Sequence, residues 1–308
     1  SAFFPSFIRP ELVEKITESG SGLASLFSIP LSPMLDVTAA IVFSFLFGIG
    51  ISYLRGQGKG ETMYGFFKDF GEIITKLLNT LIIPGLPIYI FGNFMNLSYS
   101  GAVFSVLSIF WKVFLVVIIM HLSYVSLMFF VAGTYAGKNP LTLMKNQVTG
   151  YVTAIGTQSS AATIPVNLEC AKKNGVSKQI REFVVPLGAT IHLAGSIITI
   201  TSCVTAVLLM YGMPHGFGLM AGFIAMLGVA MVAAPGAPGG AIMSALPFLA
   251  LVGIDPTGTM AQLLVTLYLT QDSFGTAANV SGDNAIAVVV DTIYHRYIVK
   301  REPEEEIA

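Results

Sequence analysis

The chain has 308 residues, 54% of them hydrophobic and only 11% charged, with a formal net charge of −1. Soluble domains carry about 25% charged residues, so this composition, with a mean hydropathy of +0.76, places the chain in lipid, and it lacks the basic excess a nucleic-acid binder needs. Two cysteines, Cys170 and Cys203, and four scattered histidines supply neither a disulfide framework nor a cluster with metal-ligand spacing.

About 20 apolar residues span a bilayer. The chain opens at Ser1 with no initiator methionine and no signal segment. Residues 1–33 hold two short apolar pieces and read as an interfacial segment or the end of a broken helix. Residues 37–54 form the first span, closed by the basic turn of Arg55 and Lys59. Residues 73–95 form a second, which Pro84 and Pro87 must kink or break. The third, 103–132, is a clean membrane helix with Trp111 as an interfacial anchor. Beyond it the pattern changes. Residues 147–171 are interrupted at Thr157-Gln158-Ser159-Ser160 and Pro165, and residues 217–253 at Ala234 to Gly240. Each interrupted piece precedes a long apolar helix with a polar centre, 180–211 and 259–295. Irregular backbone at membrane depth needs protein or a cavity to satisfy it, and paired breaks in two halves mark an inverted-repeat transporter.

Loop charge gives a threading. Lys138, Lys145, Lys172, Lys173, Lys178, Arg181, Arg296, Lys300 and Arg301 share a side with Arg55 and Lys59, whereas loops 96–101, 212–218 and 253–259 contain no Lys or Arg. The positive-inside rule makes the basic side, with the C-terminus, cytoplasmic. Both interrupted pieces are then re-entrant hairpins, because a simple crossing would put basic loops on both sides. The expected fold class is an all-α integral membrane protein with two re-entrant helical hairpins.

Asp272, Thr276, Asn279 and Asp283 fall at i, i+4, i+7 and i+11, on one helix face. Ionisable residues inside a membrane helix cost several kcal/mol on insertion scales and mark function by default; capping of neighbouring helices is the structural alternative. An intramembrane aspartyl protease needs two carboxylates close enough to share a proton, but about 16 Å of helix separates these two, and no other embedded acid is evident. The hydroxyls and amides of 157–163 suit a carboxylate. The Pro-Gly-rich second tip, carrying Ala237, Pro238 and Gly239, acts through its backbone or as a moving lid. His192 is either a hydrogen-bonded structural residue or a proton carrier.

Three stretches resemble the sodium:dicarboxylate symporter family: Gln158 to Val166, Pro186 to Ser196, and Asn279-Val280-Ser281-Gly282-Asp283. The likeness extends over essentially the whole chain. It implies a sodium-coupled, non-enzymatic, homotrimeric multi-pass transporter of the plasma or inner membrane that lacks the family's first three helices. Residues 1–101 would be partial scaffold and 102–308 the transport domain. It implies that Asp272 takes a solute's amino group and Asn279 its carboxylate, with Thr276 beside them, under tips at Ser160 and at Ala237, Pro238 and Gly239. It also implies sodium held by Asp283, Asn279 and the Gly188 carbonyl, with a second ion near Thr190, and no other cofactor. Members for acidic solutes carry an arginine where Gly275 stands, and some carry one at Gln158. A neutral amino acid is therefore expected, with Gly275 leaving room for its side chain. Ala194 stands where the family has an acidic ligand of a further sodium, so coupling is simplified and His192 could carry a proton instead. A dicarboxylate symporter, an ion channel and an inactive partial chain are the other readings.

Overall fold

The computed structural model describes residues 37–299, apart from 78–79, 82 and 100–102. The expected interfacial segment at 1–33, Lys300, Arg301 and part of loop 96–101 lie outside the described residues. Among the described residues the chain is helical, with no strand, as an all-α transporter requires. They form two compact units, divided between Phe104 and Ser105.

The first unit contains α1 (Val37–Gly56), α2 (Glu61–Leu77) and α3 (Ile83–Tyr99). Arg55 in the last turn of α1 and Glu61 in the first turn of α2 each complement a helix dipole, and they pair across the turn at 2.8 Å. Hydropathy detects a span only from residue 73, yet α2 begins twelve residues earlier. Its Lys68, Asp69 and Glu72 hide a second face whose Phe67 ring lies 5.6 Å from that of Phe47 on α1. The expected 73–95 span is split between α2 and α3. Pro84 stands in the first turn of α3, where a missing N–H costs nothing.

The second unit holds the rest of α4 (Val103–Ala136), α5 (Pro140–Thr157), α6 (Ser160–Lys173), α7 (Lys178–Ile191), α8 (Ala194–Met210), α9 (Phe217–Met231), α10 (Gly240–Ala245), a 3₁₀ stretch (Leu246–Val252), α11 (Thr259–Leu269) and α12 (Asp272–Ile293). The stretches Phe110–Ala136 and Lys178–Met210 are long and apolar enough to cross a membrane. α5 and α6 run antiparallel: Asn146 Nδ2 at the start of α5 donates to Lys173 O at the end of α6 (3.1 Å). Only Gln158 and Ser159 separate them, Gln158 in the left-handed region at φ 51° and Ser159 as N-cap of α6. Pro165 lies within α6 without ending it. α9 packs against α10 and the 3₁₀ stretch across the tip at 232–239.

Two differences from the sequence reading matter. The helices expected whole over 180–211 and 259–295 are each broken, at His192–Leu193 and at Thr270–Gln271. Hydropathy averages composition and does not register where side chains can substitute for missing backbone hydrogen bonds. α12 makes the substitution possible. It packs against α5, α6, α7 and α8, and fifteen of its residues are buried. Below its middle, an amide network replaces apolar packing. Gln147 Nε2 donates to Asn167 Oδ1 (3.1 Å), Asn284 Nδ2 to Gln147 Oε1, and Asn174 Nδ2 to Asn284 Oδ1 (3.1 Å), with Asn167 Nδ2 reaching Val280 O (2.9 Å). All four side chains are buried. Such a network is stable only while every member is satisfied. Asn284→Ala leaves the Gln147 oxygen bare and should cost about 1–3 kcal/mol, read as a lowered midpoint in thermal unfolding of the detergent-solubilised protein; Val289→Ala, on the same helix but outside the network, serves as control.

Candidate functional site

α12 begins with an acid, Asp272, where the helix N-terminus favours negative charge. Its carboxylate is 3% exposed and both oxygens are engaged. Oδ1 accepts from the Tyr268 hydroxyl at 2.7 Å, and Oδ2 accepts from the Gly239 N–H at 2.7 Å. Gly239 sits at φ 73°, a conformation that costs a glycine little, and this turns its N–H toward α12. The second tip is thus tied to Asp272 through backbone. It is tied to the first tip as well, since Gly236 O accepts from Ser159 Oγ (2.7 Å) and from Ala161 N (3.2 Å). Gln158 Nε2 donates to Ser273 Oγ at 3.0 Å, joining the first tip to the start of α12.

Between the tips and the helix breaks lies a small cleft with about 10 Å³ of free space, lined by Gln158, Ser160, Leu193, Ser196, Ala237 and Tyr268 together with Asp272, Thr276 and Asn279. Asp272 is the charged side chain of this lining. The cleft has room for about one water, far short of the roughly 300 Å³ from which pockets for organic molecules run.

Asn279 faces the cleft and also closes the break between α7 and α8. Its Oδ1 accepts the Gly195 N–H (2.7 Å) and the Ser196 N–H (3.3 Å), and its Nδ2 donates to Ser196 Oγ (3.0 Å). These amides open α8 and have no partner within the helix. The close fit needs Gly195, where a Cβ would run into the Gly275 carbonyl and Ala278. From α4, His121 Nε2 meets Gly195 O at 3.0 Å and so holds the same break from the other side.

One turn further along α12, Asp283 Oδ1 meets His192 Nδ1 at 2.8 Å, and His192 Nε2 meets Tyr124 Oη at 2.9 Å. The ring fits because residue 282 is glycine; a Cβ there would overlap the imidazole. Asp283 Oδ2 is buried without a protein partner. The Gly188 carbonyl accepts the His192 N–H at 2.8 Å, and the Thr190 hydroxyl donates to Leu187 O on an exposed surface. Among the described residues, no group of three or more His, Cys, Asp or Glu side chains is placed to hold a metal ion.

The structure therefore gathers Ser160, Ala237, Asp272, Thr276 and Asn279 around one cleft, with Gly239 reaching it by its amide. Gly275 is not in the lining: a Cβ there would point at Thr199 Oγ1, 3.2 Å away, against α8. Pro238 is likewise outside the lining. Gly188, Asp283 and His192 form a second cluster, from which Thr190 stands apart. Tyr268 and Leu193 in the lining, and Tyr124 against His192, are neighbours that the sequence did not reveal, although Tyr268 stands at i−4 from Asp272. A further buried acid is present, though not one that partners Asp283. Asp291, 3% exposed, accepts from Ser177 N (3.0 Å) and Ser177 Oγ (2.6 Å) and anchors the start of α7. It lies two turns beyond Asp283, about 12 Å along the axis, so it forms no carboxylate pair.

The family model described as "Sodium:dicarboxylate symporter family" matches residues 1–293. Among curated relatives, the rat (Rattus norvegicus) excitatory amino acid transporter 1 is 27% identical over 88% of this chain and 49% of its own length. A Caenorhabditis elegans excitatory amino acid transporter is 28% identical over 87% of the chain and 52% of its own. The human excitatory amino acid transporter 2 is 29% identical over 85% and 45%. The chain thus spans about half the length of the curated relatives it matches. The family and these relatives are transporters, not enzymes, which removes the protease alternative. With its two tips, its polar helix face and this match across nearly its full length, the chain belongs to the sodium:dicarboxylate symporter family.

Proposed function

We propose that this chain carries the solute site of a sodium-coupled symporter for neutral amino acids. One observation carries the proposal: where the two tips meet, the cleft is lined by a single acid, Asp272, and by no basic side chain. A zwitterion fits such a lining. Its ammonium pairs with Asp272 in a charge-assisted hydrogen bond. Its carboxylate lies toward the start of α6, where the Ser160 N–H and, once Gly236 releases it, the Ala161 N–H serve as helix N-terminal donors, and beside Thr276 and Asn279. A second carboxylate on the solute would meet no cation, and its desolvation would go uncompensated. In this proposal Gly275 acts by admitting the close passage of α8 rather than by leaving room in the cleft.

The α5–α6 and α9–α10 pieces are taken as re-entrant hairpins of an inverted repeat, in a transport domain of residues 102–308 that moves against a scaffold including 1–101. The assembly is a homotrimer in the plasma or inner membrane with a cytoplasmic C-terminus. Sodium is taken to sit at Asp283. A hard cation needs oxygen ligands; the unpartnered Oδ2 and the second lone pair of the Gly188 carbonyl supply two, and the Asn279 amide oxygen joins them when it gives up one of the two N–H groups it accepts in this structure; Thr190 belongs to a second ion at the lid.

Three outcomes test this. Asp272→Asn should weaken uptake of neutral amino acids by roughly 10- to 100-fold, the worth of a hydrogen bond to a charged group, in proteoliposomes under a sodium gradient. Gln158→Arg puts a cation in the lining and should shift preference toward aspartate and glutamate; a wild-type protein that already prefers those acids overturns the neutral assignment. Asp283→Asn should raise the sodium concentration for half-maximal uptake at least tenfold. Uptake that needs no sodium in the wild type would instead favour a proton carried by His192, and current without saturable uptake would favour a channel.

A further inference from the structure

The cleft's acid does not stand alone. Tyr268 lies in the last turn of α11 and Asp272 begins α12, so the break at Thr270–Gln271 lies between two residues that would share a face in an unbroken helix. The break keeps that register: Gln271 N donates to Tyr268 O at 2.8 Å, and the tyrosine hydroxyl reaches Asp272 Oδ1 at 2.7 Å. Tyr268 is fully buried, among the largest side chains in the molecule with no exposure, and its ring forms part of the cleft wall. Buried phenol hydroxyls find partners, but this one has chosen the carboxylate on which the second tip rests.

We propose that Tyr268 is the positioning and specificity-determining residue of the cleft. Its hydroxyl occupies Oδ1 and fixes the plane of the carboxylate. Oδ2 is thereby left facing the tip, where the Gly239 N–H now binds and where a primary ammonium would bind. A carboxylate already oriented loses little rotational freedom on meeting its partner, and preorganisation of this kind favours binding by removing an ordering cost. With phenylalanine the ring volume persists, Oδ1 loses its 2.7 Å donor, and the carboxylate is freer to swing away from both the tip and the solute. Tyr268 thus selects for an amine without touching more of the solute than its first atoms. In its solute arm this rests on the assignment of Asp272 as amine acceptor; in its tip arm it does not.

Hydrogen exchange on the full-length, detergent-solubilised protein without solute tests the tip arm. In Tyr268→Phe, amides of residues 232–241 should exchange about tenfold faster, the loss expected when one hydrogen bond to a charged group is weakened, while amides of α5, and of α6 beyond its first turn, keep their wild-type rates. A residue that merely fills the core would instead loosen α11 and leave the tip unchanged, and that result overturns the proposal. Asp272→Asn should give the same tip phenotype, and Tyr268→Phe added to it should change nothing further; additive effects also overturn it. For the solute arm, binding of L-alanine is compared with L-lactate, which carries a hydroxyl in place of the amine. The wild type should favour L-alanine at least tenfold, and Tyr268→Phe should narrow that ratio while leaving L-lactate unaffected. An unchanged ratio counts against Tyr268. If the wild type binds L-alanine, L-serine and L-threonine no better than their deaminated counterparts, the neutral amino-acid assignment fails, and the exchange data alone still decide what Tyr268 does.

Discussion

Backbone that leaves the helix inside an apolar protein must have its N–H and C=O groups satisfied by something else. In this chain one helix meets most of that demand. Along α12, Asp272 accepts the tip amide of Gly239, Asn279 accepts the two amides that open α8, and Asp291 accepts the amide of Ser177 ahead of α7. Asn284 closes the amide network that joins the α5–α6 pair to the same helix. The polar stripe that costs most to insert in lipid is therefore what sustains three departures from helical structure.

The same residues explain why structural and functional roles cannot be separated along this face. Asn279 lines the cleft and caps α8 with one amide group. Asp283 holds His192 with one oxygen and leaves the other bare and buried. A bare carboxylate oxygen in such a place is expensive unless a cation or proton visits it, so the cost itself argues that the site is not purely architectural. Asp291 is the contrast. Its Oδ1 takes both donors of Ser177, and its neighbour His295 bonds back to the Asp291 carbonyl at 2.9 Å, so the α7 anchor looks complete as it stands.

Much of this was legible in the sequence, for definable reasons. The breaks at Gln158–Ser159 and at 232–239 announce themselves through clustered small and turn-forming residues, and the Asp272–Asp283 stripe through helical spacing. The breaks at His192–Leu193 and Thr270–Gln271 do not. Their residues are unremarkable locally, and they open only because Asn279 and Tyr268, distant or across the break, accept or redirect the freed groups. Nor could spacing show that Gly275 faces α8 rather than the cleft. Helix periodicity assigns a face to each residue but does not say which neighbour that face meets. The amphipathic α2 escaped hydropathy because its charges average out its aromatic side.

If the proposed function holds, the closed cleft sets an energetic sequence for solute entry. Its volume is too small for an organic solute, and Asp272 already has a donor on each oxygen, so the tip must release Gly239 before an ammonium can take Oδ2. Releasing a neutral amide from a buried carboxylate costs roughly 1.5–3 kcal/mol. Replacing it with an ammonium at the same oxygen restores the hydrogen bond and adds the attraction of opposite charges in a site shielded from water. A solute without an amine opens the tip and recovers nothing at Asp272. The closed tip therefore acts as a filter whose threshold only the right functional group can offset, and the threshold is set by how firmly Asp272 is held.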